Sequence, residues 1–186
     1  MARSDLLRAE IYPDSDDMAS PLGNGADGIY DRIEFRYNRE GQRKELKDQN
    51  ETVHVLAYDG LGRLIHDRIT ALDSGVDGAV RRISTTYEVR GMRASIGSWD
   101  NATVGSGSLV NEVAFGYNDF GQLTQDAQEH AGAVNGSTPK VQYGYANGSD
   151  NHVRPTSITY PNGRVIEFGF GTAGGMNDAA SRVEAI

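Results

Sequence analysis

Tyr58-Asp59-Gly60-Leu61-Gly62-Arg63-Leu64 is the stretch that decides how this chain folds. An aspartate directly after a strand-ending tyrosine can accept a turn's backbone N–H through its side chain. A glycine four positions after the tyrosine supplies the positive φ that closes a type I turn with a G1 bulge. Arg63-Leu64-Ile65 then starts a return strand. The stretch therefore reads as one complete β-hairpin tip.

The same grammar recurs on both sides of it. Tyr37, Tyr58, Tyr87, Tyr117 and Tyr145 are separated by 21, 29, 30 and 28 positions, and the first four are followed by Gly41, Gly62, Gly91 and Gly121. Asn38, Asp59 and Asn118 hold the capping position, whereas Glu88 replaces it after Tyr87. Tyr145 lacks the glycine. Tyr160-Pro161-Asn162-Gly163-Arg164 supplies a shorter version, with Pro161 presetting the first turn dihedral and Gly163 in the left-handed slot. Tyr12-Pro13-Asp14 reads as the same short version. A longer echo supports the repeat: Gly25, Asp27, Gly28, Arg32, Ile33, Tyr37 and Gly41 return 50 residues on as Gly75, Asp77, Gly78, Arg82, Ile83, Tyr87 and Gly91.

Ahead of each tyrosine the residues alternate with period two, as in a half-buried strand. Ile33, Phe35 and Tyr37 are expected on one face, with Arg32, Glu34 and Arg36 on the other. Val113, Phe115 and Tyr117 repeat the pattern, as do Val141, Tyr143 and Tyr145. The segment Asp5 to Ala9 is read as a strand leading into Tyr12 rather than a helical turn. Polar connections at 73–78, 101–108, 131–138 and 171–178 are expected to be surface loops, in which a glycine such as Gly105 should tolerate a side chain. The fold class is all-β: serial antiparallel hairpins, five to six in number, forming a curved open sheet over a single region spanning residues 1–186. Lone hairpins cannot bury their apolar face, so neighbours must pair edge to edge, with rows of tyrosines stacking across strands.

Composition agrees. There are 23 glycines and nine tyrosines, with 38% hydrophobic residues and a mean hydropathy of −0.53, which favours strands and turns over helices. The net charge of −8 comes from interspersed acids and bases, so the concentrated basic surface that nucleic acid requires is not expected. No apolar run approaches the roughly 20 residues of a membrane-spanning helix. Met1 to Glu10 carries Arg3, Asp5, Arg8 and Glu10 in place of a signal-peptide core. The absence of cysteine removes disulfides, zinc–thiolate sites and thiol catalysis.

The chemical motifs in the sequence read mostly as structural. Gly23 to Gly28 matches a dinucleotide-binding pattern literally, but Ser20-Pro21 precedes it and a strand, not a helix, follows. Asp14, Asp16, Asp17 and Asp27 form an acidic loop without the order of a calcium loop. His54, His66, His130 and His152 show no ligand spacing, and no G-x-S-x-G nucleophile elbow occurs. No catalytic, metal or cofactor residue is therefore expected, and the chain is read as non-enzymatic. Among the aromatics, Tyr117, Tyr143, Tyr145, Phe115 and Trp99 are candidates for a sugar-stacking platform. Four of them recur at the repeat's own period and so read as structural; Trp99 has no counterpart in other blocks and is the candidate carbohydrate-stacking residue.

Tyr58 to Leu64 resembles the signature of RHS repeats, also called YD repeats. Tyr117 to Leu123 and Ile158 to Val165 are similar to its common variants, and the resemblance runs from about Ile11 to Phe170. It implies a continuous sheet wound into a hollow shell that encloses or displays a toxin or other polypeptide, within a secreted or cell-surface parent protein. The implied partners are the remainder of the shell and the enclosed polypeptide, with no nucleic acid and no membrane span. Related adhesion barrels imply an alternative: a carbohydrate- or cell-surface-binding module. Two departures stand out. Glu88 should weaken its turn's cap, and no Asp-Pro cleavage boundary occurs. Ser181 to Ile186 reads as the middle of a strand, so the chain is expected to be a fragment truncated at both ends, with no separate toxin or catalytic domain.

Overall fold

The computed structural model describes residues 5–12, 32–146 and 154–186. Within them, twelve strands are hydrogen-bonded strictly in chain order: β1 Ala9–Ile11, β2 Arg32–Tyr37, β3 Arg43–Lys47, β4 Val53–Tyr58, β5 Leu64–Ala71, β6 Arg82–Tyr87, β7 Arg93–Trp99, β8 Leu109–Tyr117, β9 Leu123–Glu129, β10 Lys140–Tyr145, β11 Pro155–Thr159 and β12 Val165–Glu167. A four-residue helix, α1, spans Met176–Ala179. The fold is all-β, built of serial antiparallel hairpins, with β1 and β12 at the two edges of the order. The expected strand over Asp5–Ala9 is found only at its end: Asp5 and Leu6 form a turn and bend, Leu7 and Arg8 are irregular, and β1 begins at Ala9. Two compact units are distinguished: Met1–Thr86 with Gly97–Val110, and Tyr87–Ile96 with Asn111–Ile186.

In the first unit, β2 and β3 pair Glu34 with Lys47 and Phe35 with Leu46, and β4 and β5 pair Leu56 with Asp67 and Ala57 with His66. In the second, β8 pairs with β9, β9 with β10, and β10 with β11. A register shift falls immediately before the repeat tyrosine in both units: at Arg36/Tyr37, Ala57/Tyr58, Gly116/Tyr117 and Gly144/Tyr145. Each bulge adds local twist at the same place in its hairpin.

The interior is thin. Among the described residues only Phe35 in the first unit and Ala127 in the second are buried hydrophobics. Every position of β4 and of β8 is half-buried, so their two faces are not sharply distinguished. Two charged side chains, Arg32 on the face opposite Phe35 and Arg82, are nonetheless buried. Both are 3% exposed, more buried than Phe35 at 8%. Arg82 lies over the Trp99 ring, 4.7 Å from its centroid, and Arg43 over Phe35 at 4.5 Å. Guanidinium groups and their alkyl stems thus cover these aromatic rings.

The C-terminal segment also departs from expectation. Ser181 to Ile186 is not the middle of a strand. Positive φ at Gly171 and Gly174 turns the chain, α1 forms, and Gly169 pairs with Ala185 in an antiparallel bridge. The return is pinned by Arg154, whose guanidinium bonds the Asp178 carboxylate and backbone carbonyl and lies 4.9 Å from the Phe170 ring centroid. The expected polar loop at 171–178 therefore contains the start of a helix.

Candidate functional site

The repeated hairpin tip is the feature that most of the singled-out residues build. In the tip at Asp59, the Asp59 N–H donates to the Arg63 carbonyl at 2.9 Å and the Gly62 N–H to the Asp59 carbonyl at 3.0 Å. The Asp59 carboxylate accepts the backbone N–H groups of Leu61 and Arg63 at 3.0 and 2.9 Å, and the Arg63 side chain. These bonds hold its carboxyl below the ordinary aspartate value, the Arg63 N–H contributing most. Asn38 accepts the Gln42 N–H at 2.9 Å, and Asn118 the N–H groups of Phe120 and Gln122 at 3.1 and 3.0 Å. Gly41, Gly62, Gly91, Gly121 and Gly163 all have φ between 80° and 94°.

Glu88 performs the same task with a longer arm. Its carboxylate accepts the Arg90 N–H at 3.0 Å and the Met92 N–H at 3.3 Å, and pairs with the Arg90 side chain. The cap is kept, with one bond stretched. In the short version, Tyr160 itself occupies the position of Asn38 and Asp59: its N–H donates to Arg164 and its carbonyl accepts from Gly163. Asn162 caps the Arg164 N–H.

Three features escaped the sequence reading. The tip at Asp48 has the same bonding, with Asp48 accepting the Thr52 N–H at 2.8 Å, yet Glu51 fills the left-handed slot at φ 61°. No glycine marked it. Second, the repeat tyrosines are ties: the hydroxyls of Tyr37, Tyr58, Tyr117 and Tyr145 donate to the carbonyls of Leu7, Arg43, Arg93 and Leu123 at 2.7–3.0 Å. Each acceptor belongs to the preceding strand or its approach, so these four hairpins are each fastened to the strand before. Third, the connecting loops are organised by buried polar groups. Arg82 donates to the carbonyls of Asn101 and Thr103 and to the Ser84 hydroxyl, gathering the 100–108 loop. Thr138, 4% exposed, donates to Glu129 at 2.7 Å and lowers its carboxyl pKa.

Between adjacent tips lie shallow grooves of matching construction. One in the first unit is lined by Asn38, Gln42, Lys44, Leu56, Tyr58 and Leu61. Its counterpart in the second unit is lined by Asn118, Phe120, Gln122, Thr124, Tyr143 and Tyr145. Leu61 and Phe120 are 81% and 71% exposed at the tips. Trp99 has the Arg82 guanidinium over its ring and does not line either groove.

Of the histidines, His54 lies 2.8 Å from an Asp67 oxygen, a contact that raises its pKa. His66 contacts the Ser84 hydroxyl at 3.0 Å; burial, then Arg82 and Arg68, lower its pKa. Among the described residues no group of three or more His, Asp or Glu converges to hold a metal, and no helix is long and apolar enough to cross a membrane. The glycine-rich Gly23–Gly28 segment, the acidic Asp14–Asp27 loop, Pro13 and His152 lie outside the described residues.

No family model matches the sequence, and no curated protein matches it. Among solved structures, the chain is similar to one in the crystal structure of TcdB2-TccC3-Cdc42, with 18% identity and a TM-score of 0.33 over 80% of this chain and 8% of that one. A second is the crystal structure of TcdB2-TccC3 without its hypervariable C-terminal region, at 16% identity and a TM-score of 0.32, again over 80% and 8%. The chain therefore spans about 8% of the length of those chains.

Proposed function

We propose that the chain is a structural, non-catalytic segment of an RHS (YD-repeat) shell that encloses or displays a toxin or other polypeptide of a secreted or cell-surface protein. The observation that carries this reading is the tyrosine tie. A hydroxyl-to-carbonyl bond repeated at Tyr37, Tyr58, Tyr117 and Tyr145 invests the most regular side chains of the sequence in joining hairpin to hairpin. Residues committed to fastening a sheet are not free for catalysis, and an indefinitely extendable sheet suits a wall. The partners on this reading are further repeats and the polypeptide they surround. Sequencing the coding region on both sides of this reading frame tests it. Further tyrosine-turn-glycine repeats on at least one side, leading to an unrelated polypeptide, are expected; flanks that encode neither would refute the shell.

A second reading, a carbohydrate- or cell-surface-binding module, is favoured by the groove at Phe120, Tyr143 and Tyr145, where one exposed ring and two half-buried ones line a groove with the planar amides of Asn118 and Gln122. Glycan-array binding lost on Phe120→Ala would support it. Loss on Trp99→Ala alone would instead move the stacking surface to the ring beneath Arg82.

A further inference from the structure

Beyond its structural role, the first unit carries a cluster of positive charge that the hairpin repeat does not require. In the β5–β6 ladder His66 lies opposite Ser84 and Arg68 directly opposite Arg82, with no register shift between the two pairs. Side chains two apart on one strand share a face, so His66, Arg68, Ser84 and Arg82 form one patch. The contacts of Ser84 with both His66 and Arg82 confirm it. On the other side of β5 the same face presents Val55 and Ala57 of β4, both uncharged. Like charges directly opposite each other in an antiparallel pair are unfavourable.

The two guanidiniums differ in what they have left to offer. Arg82 is spent on Ser84 and on loop carbonyls, including Asn101 and Ser106. The Arg68 Nε is buried and has no hydrogen-bond partner. Neither arginine makes an ion pair among the described residues; the Asp100 carboxylate acts on Arg82 only at a distance and is itself bonded to the Ser108 N–H. A buried donor without a partner is costly, and a charged one more so.

We infer that Arg68, with Arg82 and His66 behind it, is a binding position for a carboxylate, supplied by an acidic side chain of another polypeptide segment laid across this face. A guanidinium offers parallel N–H donors to a planar carboxylate, a match that a tetrahedral sulfate or phosphate shares less well. Binding there offsets the opposition of Arg68 and Arg82.

His66 is a built-in reporter: burial and, after it, Arg82 and Arg68 hold its pKa down, and an anion beside it opposes the part due to the two cations. The purified chain is titrated with an oligoglutamate peptide, with oligoglutamine as the uncharged control and sulfate at matched ionic strength, while the His66 ring is followed by NMR. The expected result is a saturable shift with oligoglutamate and an upward move of the His66 midpoint, with His130 unaffected. Arg68→Met should weaken this binding roughly tenfold or more, the loss of one charge-assisted pair. Without ligand, Arg68→Met should melt no lower than the parent, because it removes an unpaired charge. Arg68→Lys should retain only part of the affinity. Equal binding by Arg68→Met, no saturable shift in the parent, or tighter binding of sulfate than of oligoglutamate would each overturn the assignment.

Discussion

Gly62 and Gly121 sit at φ 80°, where a side chain is strained regardless of the space around it, and at Gly62 a Cβ would also press on the Gln42 amide at 3.0 Å. Replacing either with alanine is expected to cost about 1–2 kcal/mol in denaturant unfolding. Loop glycines were expected to be tolerant, but Gly105 has φ 83° and shares the backbone cost even though nothing lies within 4 Å of its Cβ position. The tolerant sites are Gly60 and Gly136, which have open space and no positive φ; alanine there should change stability by less than about 0.5 kcal/mol. The converse holds at Glu51. Glycine should relieve its left-handed strain and gain about 0.5 kcal/mol, since the strain outweighs both the lost exposed pair with Lys47 and the added freedom of the unfolded chain. These turns show what was legible at single residues. A glycine at positive φ leaves a mark in sequence; a glutamate forced into the same slot by Asp48 leaves none. His54 carries a pH dependence. Its folded pKa is raised above 6.5, chiefly by the Asp67 hydrogen bond, so its stabilisation is complete below pH 6.5 and is lost as pH rises through the folded value. The stability gap between the parent and His54→Asn should therefore be wider at pH 5.5 than at pH 8.5. A gap that is constant or widens with pH would refute the contact.

At the scale of the hairpin, periodicity and turn chemistry reveal the elements but not how one is fastened to the next. The tyrosine ties depend on the register shift that precedes Tyr37, Tyr58, Tyr117 and Tyr145, and a bulge adds no recognisable residue to the pattern. Composition could announce that tyrosines repeat; only the bulged ladder shows that their hydroxyls reach Leu7, Arg43, Arg93 and Leu123. The burial of the arginines is illegible in the sequence for a related reason. Alternation assigns charge to the wet face, whereas a sheet with half-covered faces gives Arg82 a ring to lie on and carbonyls to bind. Tyr58→Phe and Tyr117→Phe should each cost about 0.5–1 kcal/mol, toward the low end for a hydrogen bond because water can reach the freed carbonyls. The loss should be local. Hydrogen exchange should quicken in β3 and β4 for the first substitution and in β7 and β8 for the second, while the tip bonds at Asp59 and Asn118 keep their protection. Uniform quickening along the chain would mean that the tie supports global stability rather than one joint.

For the whole chain the two edges of the strand order are unlike, and this bears on how it associates. Unpaired strand edges are templates for another chain, and both ends of a serial sheet would ordinarily share that liability. Beyond β12, however, Gly169 donates to the Ala185 carbonyl at 2.9 Å and accepts from Glu184 at 2.8 Å, so the returning C-terminal segment partly covers that end. Near β1, among the described residues, there is no such return. Glu10 pairs with Ile33, and the Arg8 carbonyl accepts the Phe35 N–H, so residues 8 and 10 direct their backbone groups to β2. Antiparallel alternation then directs the N–H groups of Ala9 and Ile11 away from the sheet. Association is therefore expected through β1, and a proline can test this without disturbing the fold. Ala9→Pro removes an outward N–H while leaving the ladder to β2 intact, which proline tolerates on an edge strand. Light scattering should show the parent chain associating as concentration rises and Ala9→Pro remaining smaller, with hydrogen exchange at Glu184 and Ala185 equally slow in both. If Ala9→Pro associates as the parent does while Gly169→Pro, which breaks the C-terminal pairing, increases association, the exposed template is the β12 end and β1 is the protected one.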